Sequence, residues 1–353
     1  MYARRNRPLV STLGLVTLAL LGAGCDMIEG VLGGGADEAC AQAEGMLAAG
    51  DLPGAADAYA AAATEDPTAV CAATGHALML VMQGDTSGAD QALAAAQEAA
   101  GDQVGMVRLR RALVAVEAGD LDAVREHGVA SGLPQGLLLD AEVALVEGER
   151  EEAAARLQEV QAAGGAVGTL ASDYLSLIND ADPMVAGLSE VSALWALGER
   201  TVAVRSVEDL LQNLDDDRSD RGELILLWAG RAASVGEAEV AQSLLDSLIF
   251  PPDGQQWRRI ATRAIVACAE GKGEACLTQF DALEGNAPSD GLADARATAA
   301  VLIAEQDAEV AKKLASPFIS NAAARAIAET GDNALAIESA PSGPLSDFLK
   351  AGG

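Results

Sequence analysis

Five cysteines and two histidines are the side chains of this 353-residue chain that could do redox, metal or nucleophilic chemistry. Cys40, Cys71, Cys268 and Cys276 allow three disulfide pairings. Two lie near the start and two near the end, which favours Cys40–Cys71 and Cys268–Cys276, with buried thiols as the other reading. A metal site would use CxxC or His-assisted spacing, and neither occurs, so no metal and no cofactor is expected. His76 and His127 have no spaced nucleophile or carboxylate set, so both are assigned structural or surface roles. The acids between Asp215 and Glu223 lack the alternation of an EF-hand loop and read as a solvated connection. GxSxG, HExxH and Gly-rich phosphate loops are absent, and the expectation is a protein that is not an enzyme. Trp195, Trp228 and Trp257 are spread along the chain as packing residues, with Trp195 kept as a binding candidate.

The elements that must position these residues are helices. Aromatics make up 3% of the chain, whereas Ala numbers 76, a bias that suits close-packed helices better than a sheet core. Asp and Glu total 53 against 23 Lys and Arg, a formal charge of −30, which excludes nucleic acid as the main ligand. Half of the residues are apolar, so this acidity does not signal a disordered chain.

Met1 to Pro8 is basic, and Leu9 to Gly24 is an uncharged run of sixteen residues, short of the ~20 that span a bilayer. It reads as a signal peptide. Leu21-Gly22-Ala23-Gly24-Cys25 resembles a bacterial lipoprotein signal, which implies that Cys25 becomes the lipidated first residue. The mature chain then has 329 residues and carries −33. The resemblance implies a cell-envelope location, anchored to a membrane by lipid and facing the periplasm or the cell surface.

Gly followed by an acid recurs at Gly50-Asp51, Gly84-Asp85, Gly119-Asp120, Gly148-Glu149, Gly198-Glu199 and Gly236-Glu237, the first three spaced by 34 and 35 residues. Each occurrence closes one Ala-rich helical run and opens another. Two looser turns follow, at Gly271 or Gly273 and at Gln306-Asp307. Seven residues before the turn, Ala occurs in seven of eight cases; five after it, Ala occurs in six of eight. Nine after it come Tyr59, Leu93, Leu157, Leu245 and Phe280. With Gly50-Asp51, Ala55, Tyr59, Ala62 and Pro67, and with Cys276, Phe280, Leu283 and Pro288, the chain resembles the tetratricopeptide-repeat family over roughly residues 37–315. The third repeat departs from it, with Gly128 in place of the large residue.

This resemblance implies an all-α, right-handed α-solenoid of about eight helical hairpins. The expected organisation is a signal peptide at 1–24, a linker at 25–36, and N-terminal repeats at 37–165. An extra helix or connector at 166–183, C-terminal repeats at 184–315, and a capping helix and tail at 316–353 complete it. The family's first helices line a concave face, which here places Leu78, Val81, Leu109, Leu113, Leu138, Leu145 and Trp195 in an apolar groove. The same side chains become ordinary core if successive hairpins wind tightly. Cys40 and Cys71 fall on the inner faces of successive first helices. The expected function is a non-enzymatic scaffold that holds a protein partner through an apolar helix or segment, with basic partners favoured by the acidic surface. The alternative is a binding protein for a small or lipid-like apolar ligand in the groove. Lipoproteins of similar design assist outer-membrane protein assembly or pilus biogenesis, so the resemblance admits a role in envelope assembly.

Overall fold

The computed structural model describes residues 35–315, apart from 49–51, 68, 83, 216–217, 249–250 and 304–305. The signal segment, Cys25 and the 316–353 tail lie outside the described residues, which form α-helices and no strand. The chain divides into two compact units, the first of residues 1–44 and 53–199 and the second of residues 45–52 and 200–353, with the main division at Glu199–Arg200. It therefore falls downstream of the expected connector at 166–183, which belongs to the first unit.

The first unit holds α1 (Gly35–Ala48) as far as Glu44, α2 (Leu52–Glu65) from Pro53, α3 (Val70–Met82), α4 (Thr86–Gln97), α5 (Val104–Ala118), α6 (Leu121–Ser131), α7 (Pro134–Val146), α8 (Arg150–Ala163), α9 (Gly165–Ile178) and α10 (Pro183–Ala196). The second unit holds α11 (Arg200–Gln212), α12 (Arg221–Ser234), α13 (Ala238–Ser247), α14 (Gln256–Ala269), α15 (Gly273–Asp281), α16 (Ser289–Ile303) and α17 (Ala308–Ala315). Packing is sequential. Helix α3 pairs with α4, α5 with α6 and α7 with α8; in the second unit α12 pairs with α13, α14 with α15 and α16 with α17. Successive first helices also touch: α3 with α5, α5 with α7, α12 with α14, and α14 with α16.

The recurrent Gly-acid pair has a direct physical cause. Gly119 adopts φ +71°, a left-handed conformation that costs Gly no Cβ clash. Its N–H donates to Val116 O, and the Asp120 N–H donates to Ala115 O, which together close the helix in a Schellman turn. The Asp120 carboxylate then accepts from Ala123 N at 3.1 Å and starts the next helix. Asp85 does the same with Gly88 N at 2.9 Å. Glu149 and Glu237 occupy the same place with a longer side chain, make no cap, and reach Arg125 and Arg205 instead. At the looser seventh turn the left-handed residue is Gly271, with φ +75°, and Gly273 is already helical. Lys272 therefore stands where the other turns carry an acid.

This register makes the small-residue pattern legible in three dimensions. Ala43, Ala77, Ala112, Ala141, Ala229, Ala264 and Ala299 are all fully buried seven residues before the turn, and Val191 is nearly so. Ala55, Ala89, Val124, Ala153, Ala203, Ala241 and Cys276 are fully buried five residues after it. A methyl group at both places lets paired helices approach at the short end of the usual ~8–10 Å range. Tyr59, Leu93, Leu157, Leu245 and Phe280 then fill the wider part of each pair. Gly128 departs from this rule because α6 meets α7 there at backbone distance: a Cβ on Gly128 would sit 2.7 Å from the Gly136 carbonyl oxygen.

Helix α9 occupies the expected extra segment. It packs on α8 and α10 and touches α7, while α7 also packs directly on α10. The extra helix is thus added beside the row of first helices without interrupting it.

Candidate functional site

The expected groove is closed within the units. Leu78, Leu109, Leu113, Leu138 and Leu145 are all buried, with exposures from 7% down to 0% except Leu138 at 9%. Val81 and Trp195 are half-buried. The physical reason lies in the contacts between first helices. Once Ala positions bring hairpins close, the side chains facing the next hairpin become a seam rather than a lining. Val116 packs with Val143 across α5 and α7, and Val81 packs on the core that holds Ala77, Leu93, Val107 and Val114. Leu138 and Leu145 share a core with Leu157, Tyr174 and Ala193. The apolar-trough expectation is corrected accordingly for these residues: five of the seven are core.

Three polar ties cross this core in the first unit. Tyr174 on α9 hydrogen-bonds the Glu142 carboxyl on α7 at 3.0 Å, and Glu142 is 4% exposed. Burial pushes the Glu142 carboxyl up to about 8, against the lowering effect of the Tyr174 hydroxyl, so the fold holds it protonated at neutral pH. Asp140, two residues earlier, is also buried but ionically satisfied, with Arg125 Nε at 3.0 Å and Arg156 Nε at 2.9 Å. Arg125 continues to Glu147 and Glu149, so one guanidinium joins α6, α7 and the turn into α8. The hydrogen bond to Glu149 holds Arg125 above its ordinary value, although partial burial works the other way. The third tie is Arg110 Nη1 donating to Thr74 Oγ1 at 2.6 Å between α5 and α3.

The remaining arginines of the first unit are also engaged inside it. Arg108 donates to the Ala130 carbonyl, Arg111 grips both oxygens of Asp90, and Arg150 pairs with Glu190. Residues 35–199 contain 27 acids and 6 bases, a net −21, and those six bases are Arg108, Arg110, Arg111, Arg125, Arg150 and Arg156. Residues 35–107 contain eleven acids and no Lys or Arg. Glu38, Asp57, Glu65, Asp85, Glu98 and Asp102 are exposed. Asp90 on α4 is thus compensated by Arg111, while the segment 35–107 supplies acids and no Lys or Arg of its own to the rest of this face.

The other singled-out residues fall as follows. Cys268 and Cys276 are disulfide-bonded across the Gly271 turn, with Cα atoms 5.3 Å apart. Cys40 and Cys71 are thiols, so the pairing expected between them is absent from this structure. Both belong to one apolar cluster, but Ala72 is the α3 residue at its centre and Cys71 lies about 100° round the helix from it. Trp228 is buried with Arg231 stacked 4.4 Å over its ring. His127 is pushed down from its ordinary range by burial and then by the Arg111 guanidinium. In the acidic run, Asp220 is taken by Arg218 at 2.6 Å, while Asp216 and Asp217 lie outside the described residues. Among the described residues, no group of three or more His, Cys, Asp or Glu side chains is arranged to hold a metal, and no helix is long and apolar enough to cross a membrane.

Asp140 and Tyr174 were not distinguishable as tie residues in the sequence. The available signal for Asp140 was an acid closing the apolar run Leu137-Leu138-Leu139 inside a helix; for Tyr174 it was one of three tyrosines in the chain. No protein-family model matches the chain, and no curated protein matches it.

Proposed function

We propose that this chain is a lipid-anchored, non-enzymatic scaffold of the bacterial cell envelope, and that it engages a basic protein partner through the acidic outer face of α1 to α4. The proposal includes a tetratricopeptide-like right-handed solenoid of about eight hairpins and a lipid on Cys25. The observation that supports the partner's chemistry is the charge arrangement of the first unit. All six of its arginines are held by internal acceptors, and residues 35–107 supply acids alone. Such a surface attracts cationic partners over several ångströms and discriminates by encounter rate more than by buried area. The alternative of an apolar ligand loses support, because five of the seven residues assigned to the groove are core.

The test is crosslinking in intact cells, followed by purification from detergent-solubilised membranes at rising salt. The expected result is a stoichiometric basic protein crosslinked within residues 35–107 and released as ionic strength rises, because screening shortens the field to about 10 Å at 0.1 M. Asp57→Lys with Glu65→Lys and Glu98→Lys should lower its recovery severalfold while the helical content stays unchanged. Recovery unaffected by these reversals, or no protein enriched above background, overturns the reading.

A further inference from the structure

We infer that α9 is a proton-linked latch: the Tyr174–Glu142 hydrogen bond fastens it to α7, and it lifts from the first unit as a single helix when the Glu142 carboxyl ionises. Three features of the geometry set α9 apart. It lies beside the row of first helices, and α7 packs directly on α10, so the row is continuous without it. It is thinly held: its buried residues are Gly168, Ala171 and Tyr174, with Val167, Leu175 and Ile178 only partly covered. One large side chain therefore supplies much of its anchorage. Finally, it starts from two consecutive exposed glycines, Gly164 at φ +73° and Gly165 at φ +66°, left-handed conformations that Gly adopts freely and that offer a pivot. The four residues 179–182 join its other end to α10.

The fastening holds in one protonation state. The Tyr174 hydroxyl donates to a Glu142 carboxyl that is 4% exposed. Charged groups of the helices packed on α7 have other partners: Arg125 of α6 and Arg156 of α8 reach Asp140, Arg150 of α8 pairs with Glu190 of α10, and Arg110 of α5 donates to Thr74. Asp173 of α9 is exposed, and Glu117 of α5 is half-buried. Burial, opposed by the Tyr174 hydroxyl, is what acts on the Glu142 carboxyl, and it favours the neutral acid. An ionised Glu142 needs water, and lifting α9 supplies it while α7 stays packed on α8 and α10. Each rise in pH therefore raises the population of the open state.

The inference does not depend on the partner reading. Amide exchange is followed on the full purified chain from pH 5.5 to pH 9, each rate being divided by the intrinsic chemical rate at that pH, with and without denaturant well below the unfolding midpoint. Protection of residues 166–178 should be lower than that of α7 and α10, insensitive to the denaturant, and reduced about tenfold per pH unit until it levels off above pH ~8. Glu142→Gln keeps the hydrogen bond and should make the protection of α9 independent of pH. Tyr174→Phe keeps the ring and should lower that protection even at pH 5.5. The profile of the natural chain decides the matter by itself. Protection of α9 that does not change with pH overturns the inference, and so does exchange of α9 at the same rate and with the same denaturant dependence as α7 and α10.

Discussion

The two units use the same turn and the same small-residue register, yet they are held together by different means. The first, over residues 35–44 and 53–199, carries 26 acids against 6 bases and sets its arginines and a buried Glu–Tyr pair inside the helix packing. The second, over residues 200–315, carries 20 acids against 12 bases, a net −8, and closes one of its turns with a disulfide. The comparison separates what a helical hairpin needs from what each unit adds. The left-handed Gly and the buried Ala pair are common to both and set the spacing. Buried polar ties in the first unit, and in the second a disulfide together with Arg296 paired to Asp281 and Glu284, then fix neighbouring helices, and the first carries the larger excess of acids.

The largest expected effect comes from the tie that has no counterpart among the named ties of the second unit. Glu142 is raised from 4.5 to about 8 in the fold, so the folded chain keeps a proton that the unfolded chain gives up. The sign follows: this contribution is complete below pH ~4.5, declines as pH rises, and is gone above pH ~8, at about 1.4 kcal/mol per pH unit between them. Glu142→Gln keeps the hydrogen bond to Tyr174 and removes the titration. Relative to this variant, the natural chain should lose stability on the order of 4 kcal/mol between pH 4.5 and pH 8. Denaturant unfolding followed by amide exchange in α7 and α9 measures it, with α12 to α17 as the internal reference. Equal pH profiles for the two chains would show that Glu142 is solvated and that α9 is not held by this bond.

A second contrast uses glycine. Gly136 faces the Gly128 carbonyl so closely that any Cβ must push α6 and α7 apart, whereas a Cβ on Gly230 in α12 meets only Thr262 Oγ1, at 3.9 Å. Gly136→Ala should destabilise the first unit by about 2–3 kcal/mol through overpacking. Gly230→Ala should stabilise the second by about 0.5–1 kcal/mol, because Ala is the better helix former. Exchange protection read separately over the two units checks both signs, and a neutral Gly136→Ala would refute the close crossing.

These residues also mark how far the sequence was legible. The turn register, the helices and the buried small residues could be read because each depends on local conformation: a Gly at φ +71° or an Ala between paired helices leaves its mark within one hairpin. The groove could not be read, because whether Leu109 or Leu138 lines a trough or fills a seam depends on the distance between successive hairpins. The polar ties were hidden for the same reason. Glu142 meets Tyr174 from 32 positions away, and Asp140 draws its arginines from two other helices. Gly128 looked like a weakened repeat, but its significance appears only when Gly136 is placed against it.

The disulfide tests the covalent side of the comparison. Lys272 makes no side-chain cap at the Gly271 turn, where the first unit's Asp85 and Asp120 do cap, and Cys268–Cys276 spans that turn with a separation of eight residues. Closing so short a loop restricts the unfolded chain by about 2.5 kcal/mol on the entropic account. Replacing both cysteines by Ala, the common residue at the Cys276 register, should cost about that much. The loss should appear as faster amide exchange in α14 and α15, with α3 to α10 unchanged.

The smallest effects lie in the turns themselves and separate the two kinds of acid. Asp120 and Glu237 have similar backbones, with φ −96° and ψ 87° against φ −80° and ψ 66°, yet only the Asp carboxylate reaches a helix N–H. Asp120→Ala should therefore cost about 1 kcal/mol, the usual loss of an N-cap. Glu237→Ala removes a 2.8 Å pair with Arg205, whose side chain is 66% exposed, and should change stability by no more than about 0.5 kcal/mol. The informative exchange is Glu237→Asp, which shortens the side chain by one methylene and brings its carboxylate back to the first turn of α13. If the capping difference is a matter of reach alone, this substitution should recover most of 1 kcal/mol despite losing Arg205. If it gains nothing, the second unit's turn differs in its dihedrals by enough to misdirect a cap, and the common turn geometry of the two units would need to be narrowed to the Schellman bonds that both retain.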